Sequence, residues 1–374
     1  MEITKVPFFG KDRYFDTYSN DLMRLMKKVY SHGKVVMGPE IEEFENKLAN
    51  YCSRKYAIAV GSCTDALYFS LLGIGIKEGD EVLVTSFSFI ASASCILRTR
   101  AVPVFIDINP ETYMMDLNDL EKKITNKTKA ILAVDIFGDA LDINALEEIG
   151  EKYNLPIIED AAQSIGSRFG NRKVGSLGLC SCISFDPTKI LSAQSNGGIV
   201  LTDDYSFYEK INQMRYHGKN LKTGEFETLG FNSRLASLQA AILSYNLDKL
   251  ESWIEIHRNI ANKYKKGLSD IPQITLPKEN QETRHVYHKF VIKAENRDEL
   301  KQWLSENNIQ VMIHYDKALH ENKLFENYDF RAEGLNEVNK IKTQVLSLPI
   351  HPFLKDDEIN FVIQKIKEFY NNFE

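Results

Sequence analysis

The chain has 374 residues, 43% of them hydrophobic and 26% charged, with a net charge of −6 and a pI near 5.9. That length favours one large domain with a smaller one, the composition is that of a soluble globular protein, and the acidic balance excludes a dedicated nucleic-acid binder, which needs a basic face. No run reaches the roughly 18 apolar residues of a membrane helix and MEITKVPFFGKDRYF lacks a signal peptide's apolar core, so the expectation is a cytoplasmic protein with no membrane and no nucleic-acid partner.

Taken in order, Leu22, Leu25, Met26 and Val29 give residues 1–37 an amphipathic stretch. Gly38 and Pro39 then punctuate the start of a helix whose apolar face is Ile41, Phe44, Leu48 and Tyr51. Tyr56 to Val60 reads as a short strand, followed by Gly61-Ser62-Cys63-Thr64-Asp65-Ala66-Leu67 and an apolar helix. A strand, a small-residue turn and a helix start make a phosphate cradle, because the first unpaired N–H groups and the helix dipole favour an anion; the same residues also suit an ordinary helix cap. Glu81 to Thr85 reads as a strand and Ile90 onward as a helix, with Phe87 and Phe89 between them. Strand-like Val102 to Ile106, Ala130 to Val134 and Ile157 to Glu159 follow, separated by helical stretches near 117–124 and 142–153. This alternation predicts an α/β fold, a mostly parallel sheet between helices with its ligand at the carboxyl ends of the strands.

The stretch from Leu155 to Thr202 carries the densest chemistry. An apolar run, Pro156 to Ile158, ends on Glu159 and Asp160 and so delivers an acid to a sheet edge. A second run, Cys182 to Phe185, leads straight into Asp186-Pro187-Thr188-Lys189. Most lysines are solvated surface groups. One held beside a rigid turn after a buried strand has a depressed pKa and can form a Schiff base. Ser206 to Arg215 is helical, and GFNSRLASLQAAILSYNL continues as a strong helix with Asn232, locally a cap or turn residue, and Arg234 at its entrance. From about 250 the character changes: a long charged helix with Trp253, Ile254 and Tyr264, strand-like His285 to Ile292, a helix over 297–307 and a final helix near 356–372. The expected domains are 1–250 and 251–374, with the N-terminal segment free to pack on the smaller one. The cysteines, Cys52, Cys63, Cys95, Cys180 and Cys182, are odd in number and offer no C-x-x-C spacing, so they read as reduced, and no metal site is expected.

Four segments in order, Glu159 to Gln163, Val174 to Gly178, Ser184 to Lys189 and Gly197 to Thr202, resemble the E-D-A-A-Q, V-G-S-x-G, S-F-x-x-x-K and G-G-x-x-x-T motifs of a known family. It is the DegT/DnrJ/EryC1/StrS group of pyridoxal-phosphate (PLP) sugar aminotransferases, of the fold-type I aspartate aminotransferase superfamily, and the resemblance extends from about Gly38 to Pro352. It implies that Lys189 holds the cofactor aldehyde as a Schiff base and then moves the proton as general base and acid, and that Asp160 keeps the pyridine nitrogen protonated. Gln163 would bond the ring hydroxyl side, and Phe89, in Phe89-Ile90-Ala91-Ser92, would stack on the ring, leaving Phe87 to the core. Thr64 and Ser184, with Ser62 and Cys63 in the cradle, would hold the phosphate. Asn232 would reach that phosphate from the neighbouring subunit, making a homodimer with interfacial sites a condition for activity. His314, Tyr315 and His320, with LSLPIHPF (346–353), resemble positions that line the sugar site. The implied reaction moves an amino group from glutamate to a keto sugar carried on a nucleoside diphosphate, for a surface glycan or a secondary metabolite.

Two departures from the family pattern stand out. Cys63 replaces the usual glycine, putting a side chain where backbone approaches the phosphate, and Ser195-Asn196-Gly197-Gly198 lacks the acid of G-D/E-G-G, which bears on substrate subclass. Three rival readings follow from the same residues. A deoxysugar dehydratase of this family would carry histidine in place of Lys189. A non-catalytic PLP-binding regulatory protein would show no turnover. A generic nucleotide binder would need a G-x-G-x-x-G or Walker motif, and neither occurs.

Overall fold

The structure is a computed structural model that describes residues 4–371, so the extreme ends of both expected domains lie outside the described residues. Strands β1 (Tyr56–Val60), β2 (Glu81–Thr85), β3 (Val102–Ile106), β4 (Thr128–Val134) and β5 (Ile157–Asp160) enter a central sheet in turn. The short β6 (Arg168–Phe169) and β7 (Arg172–Lys173) leave it, and β8 (Cys180–Ser184) and β9 (Gly198–Thr202) return. The seven-stranded order is β1-β9-β8-β5-β4-β2-β3, parallel throughout except for β9, which runs antiparallel to both neighbours. β2, β5, β8 and β9 are buried at every position, as strands covered by helices on both faces must be.

The helix Ile143–Tyr153 shows how local sequence sets the covering layer. The Asp142 side chain caps the Ala145 amide at 3.0 Å, Ile143, Leu146 and Ile149 form one buried face, and Asn154 ends the helix in the left-handed region. The V-G-S-x-G segment is organised by two buried charged side chains. Glu159 accepts from the amides of Gly175 (2.9 Å) and Leu177 (3.3 Å), while Arg54 donates to the carbonyls of Gly175, Leu177 and Gly178. Gly178 has φ +58, and a Cβ there would stand 2.6 Å from the Ile157 carbonyl oxygen, so this loop tolerates only glycine while it presses β8 against β5.

A second buried cluster, with Ile260, Tyr264, Phe290, Leu300, Leu346 and Val362, also takes in Val6, whose amide bonds the Asn308 carbonyl at 2.9 Å. It is built on β12 (Phe290–Ala294), flanked by β10 (Ile274–Thr275) and β13 (Val345–Leu348), while β11 (Thr283–Arg284) pairs with β6. The helix Leu250–Leu268 packs Trp253 and Ile254 in the first core and Ile260 and Tyr264 in the second, so it bridges the two.

Two segments differ from the sequence expectation. The strand expected from His285 begins only at Phe290, because residues 286–289 instead run along the end of β4, with Val286 N–H on the Gly138 carbonyl (2.7 Å) and Lys289 N–H on that of Phe137 (3.1 Å). The helix expected to start near Asn232 begins at Ser237, because Phe231 and Ser233 donate instead to the carbonyls of Met214 and Arg215 and hold the segment extended. Among the described residues no helix is long and apolar enough to cross a membrane.

Candidate active site

The carboxyl ends of β1, β2, β4, β5 and β8 open on a cavity of about 510 Å³. Asp160, the last residue of β5, is 3% exposed at its floor. Its carboxylate accepts from Ser92 Oγ at 2.7 Å and from the Ala162 amide at 3.2 Å, and Ser92 in turn lies 3.0 Å from Ser88 Oγ. Burial pushes the Asp160 pKa up, against the pull of these donors and of the nearby Lys189 charge. A buried carboxylate of this kind, bonded to neutral donors and to no cation, is completed by a positive group opposite it.

Lys189 follows β8 through the Asp186-Pro187-Thr188 turn, in which the Asp186 carboxylate accepts from Thr188 and its carbonyl from the Lys189 amide. The Lys189 ammonium lines the cavity and makes no hydrogen bond or ion pair with any described residue. Burial lowers its pKa, opposed by Cys63, Asp160 and Asp186. An amine so held is neutral more often than a solvated lysine, which is the condition for nucleophile and base chemistry.

The other expected residues divide. Ser62, Cys63, Thr64, Phe89, Gln163, Ser184, His314 and Tyr315 all line the same cavity. Ser62 caps the helix Cys63–Gly73 through the Asp65 amide (3.1 Å), which leaves the first amides of that helix with no intrahelical acceptor. Gln163 accepts from the Phe137 amide (3.1 Å) and donates to the Tyr315 hydroxyl (3.3 Å), and His314 Nδ1 lies 2.8 Å from Ser347 Oγ, with burial pulling its pKa down to about 3. Phe89 is 57% exposed on the rim, whereas Phe87 is buried. Asn232 is exposed outside this cavity, accepting from Arg234, and His320 lies against Phe105 at 5.7 Å, so the chain does not bring either into the site. The sequence reading missed Ser92, Phe9, His288 and Lys289, all of which line the cavity. Ser92 sits one turn after Phe89 and was within reach of a careful reading; the other three depend on contacts between distant segments.

The donor set fits PLP. Asp160 offers a buried carboxylate for a ring nitrogen, Lys189 an unpaired amine for the aldehyde, Phe89 a flat wall, and the Ser62–Thr64 turn an amide-lined anion cradle.

Comparison with known proteins gives the same direction. Residues 17–367 match the DegT/DnrJ/EryC1/StrS aminotransferase family. The chain is 36% identical to a Geobacillus stearothermophilus protein named pleiotropic regulatory protein, over 98% of this chain and 99% of that one. It is likewise 36% identical to the dTDP-3-amino-3,6-dideoxy-alpha-D-galactopyranose transaminase of Aneurinibacillus thermoaerophilus, over 97% and 99%. The crystal structure of DesV from S. venezuelae in complex with a ketimine intermediate superposes with a TM-score of 0.94 at 34% identity, covering 98% of this chain and 99% of that one. That of NtdA from Bacillus subtilis with bound cofactor PMP does so with a TM-score of 0.90 at 31% identity, covering 98% and 86%.

Proposed function

The chain belongs to the DegT/DnrJ/EryC1/StrS aminotransferase family, and from that premise we propose that it transfers an amino group from an amino acid, glutamate in the first instance, to the keto group of a sugar carried on a nucleoside diphosphate. The observation that carries the reading is one cavity at the strand ends that places an unpaired lysine, Lys189, with a buried carboxylate, Asp160. When bound, PLP supplies an aldehyde to receive the amine and a ring that takes up the electron pair left on the substrate carbon.

The protein's residues do the rest. Lys189 Nζ would hold the cofactor through its aldehyde carbon, with loss of water, when no substrate is present; displaced by the donor's amine, it would be a neutral base placed to take the proton from the substrate carbon and then, as its conjugate acid, to give that proton back. Asp160 orients and charge-balances the ring nitrogen, and Ser92 and the Ala162 amide fix the carboxylate for that task. Gln163, pinned between the Phe137 amide and the Tyr315 hydroxyl, addresses the ring hydroxyl side. Thr64, Ser62, Ser184 and the first amides after Cys63 hold the phosphate, and Phe89 covers the ring. On the same reading the active unit is a homodimer in which the partner's Asn232 completes the phosphate site. The neutral imidazole of His314, with Tyr315, faces the sugar.

The cradle is tight. β9 starts at Gly198, where a Cβ would stand 2.4 Å from the Cys63 amide nitrogen and from the Ser62 carbonyl carbon. Gly198→Ala is therefore expected to displace the helix start, at a cost of about 1–3 kcal/mol, and to weaken PLP retention by roughly tenfold or more. A fluorescence titration of cofactor-free protein with PLP checks it, and an unchanged affinity would remove this turn from the phosphate site.

The function itself is tested by incubating protein, PLP, glutamate and a panel of 3- and 4-keto nucleotide sugars. Formation of the amino sugar by mass spectrometry, with stoichiometric 2-oxoglutarate, supports the proposal. No product from any sugar, together with a cofactor absorption band that no amino acid changes, turns the reading to a PLP-binding regulatory protein; the Geobacillus relative is named a pleiotropic regulatory protein.

A further inference from the structure

Lys289 is a cavity residue to which the amino-transfer chemistry above gives no task. It is 6% exposed, lines the cavity beside Lys189, and makes no hydrogen bond or ion pair with any described residue. Its ammonium stands 5.0 Å from the ring centroid of Phe8 and 4.8 Å from that of Phe9, both on the N-terminal segment. The backbone holds it there: the Lys289 amide bonds the Phe137 carbonyl, and Gly138, at φ +102, lies so close that a Cβ would be 2.5 Å from the His288 nitrogen. A buried ammonium set against two aromatic rings and bonded to no acid among the described residues lacks a paired counter-ion, which is costly unless a ligand supplies one.

The surroundings leave that role open. Lys189 and Lys11 add positive charge, and burial holds His288 and His314 well below their ordinary pKa, hence neutral. Asp186 is the one acid that attracts Lys289, and its carboxylate is already engaged by Thr188. Burial, with the Lys189 charge, pulls the Lys289 pKa down to about 7, a value that a bound anion would reverse. Among the described lining residues there is no arginine.

The reaction supplies the missing anion. An α-amino acid donor carries its carboxylate on the very carbon that loses a proton to Lys189, so the carboxylate enters the cavity wherever Lys189 works. Lys189 cannot be its partner, because it must be a neutral amine to take that proton. The keto sugar has no carboxylate on its reacting carbon, so the two halves of the reaction make different demands on this cation.

Resting on the aminotransferase reading, we propose that Lys289 is the residue that binds the α-carboxylate of the amino donor, its ammonium backed by Phe8 and Phe9 and set beside Lys189. It confers selectivity for amino acids over simple amines and acts in the donor half-reaction alone.

The test uses PLP-loaded wild type, Lys289→Met and Lys289→Arg. Two unreactive probes are titrated by calorimetry: glutarate for the carboxylate, and UDP for the other anion that reaches this site, a diphosphate. Glutamate is then mixed in single turnover and the cofactor band followed. Lys289→Met should raise the glutamate concentration for half-maximal rate by roughly 30- to 100-fold, leave the saturating rate within about threefold, and weaken glutarate to a similar degree. UDP affinity should not change, and Lys289→Arg should recover most of the loss. Unchanged glutarate binding overturns the proposal, as does a loss of UDP in its place, which would make the diphosphate the anion. Equal loss of both probes, with arginine giving no rescue, makes Lys289 structural and overturns it too. If wild type binds glutarate through Lys289 while glutamate leaves its cofactor band unmoved, the carboxylate site stands and the transaminase reading falls.

Discussion

Lys189→Ala is expected to slow amino transfer on the order of 10⁴-fold or more while leaving the fold intact, since on the proposed reading it removes both the covalent anchor of the cofactor and the proton carrier. The fold should survive because the Lys189 side chain makes no hydrogen bond or ion pair with a described residue, and removing a buried amine relieves the desolvation that already depresses its pKa. The sign of the pH dependence follows from that depression. Burial favours the neutral form, so the wild-type donor half-reaction should gain rate with pH and reach its plateau below the range of a free lysine, near 10.4. Stopped-flow absorbance after mixing PLP-loaded protein with glutamate, across pH, measures both effects, with thermal unfolding as the control for folding. A variant within tenfold of wild type would remove Lys189 from the chemistry. A wild-type plateau reached only above pH 10 would mean that the amine is solvated when it acts.

How much of this site was legible in the sequence depends on how each residue reaches it. Asp160 and Lys189 come to the cavity by the shortest route: each ends or closely follows a strand of the parallel sheet, and the carboxyl ends of such strands meet along one edge. Thr64 and Phe89 share that logic, one at the helix start after β1 and the other in the loop after β2. Lys289 could not be read this way. Its sequence neighbourhood, His285 to Lys289, alternates like a strand, and only the seam with Phe137 and Gly138, some 150 positions earlier, turns its side chain to the site. His320 is the opposite case. It lies six residues after His314 in the sequence, but the Leu319 amide bonds the Ser86 carbonyl and the chain turns there, leaving the imidazole against Phe105. The domain boundary expected at 250 rests on a change of composition; the helix Leu250–Leu268 buries successive turns in two different cores, as one amphipathic helix can, and Ala318, Phe325 and Val338 return to the first of them.

Asp160→Asn should lower the saturating rate on the order of 10²- to 10³-fold with little change in the apparent affinity for glutamate, because it removes a charge that matters most when negative charge develops on the ring. The substitution keeps the volume of the side chain. Ser92, which now donates to Asp160, lies 3.0 Å from Ser88 and can turn its proton there and accept from the new amide, so no buried polar atom need be stranded. That separates charge from packing. Without cofactor, wild type carries a buried carboxylate whose ionisation burial opposes, so the variant should melt at the same temperature as wild type or above it. With PLP the order should invert, because only the carboxylate gains an ion pair with the ring nitrogen. The gain in Tm on adding PLP should therefore be larger in wild type than in Asp160→Asn, and this difference does not depend on turnover. Equal gains, or an unchanged rate, would mean that the ring nitrogen is not opposite Asp160 and that the chemistry proposed for this cavity begins from the wrong acid.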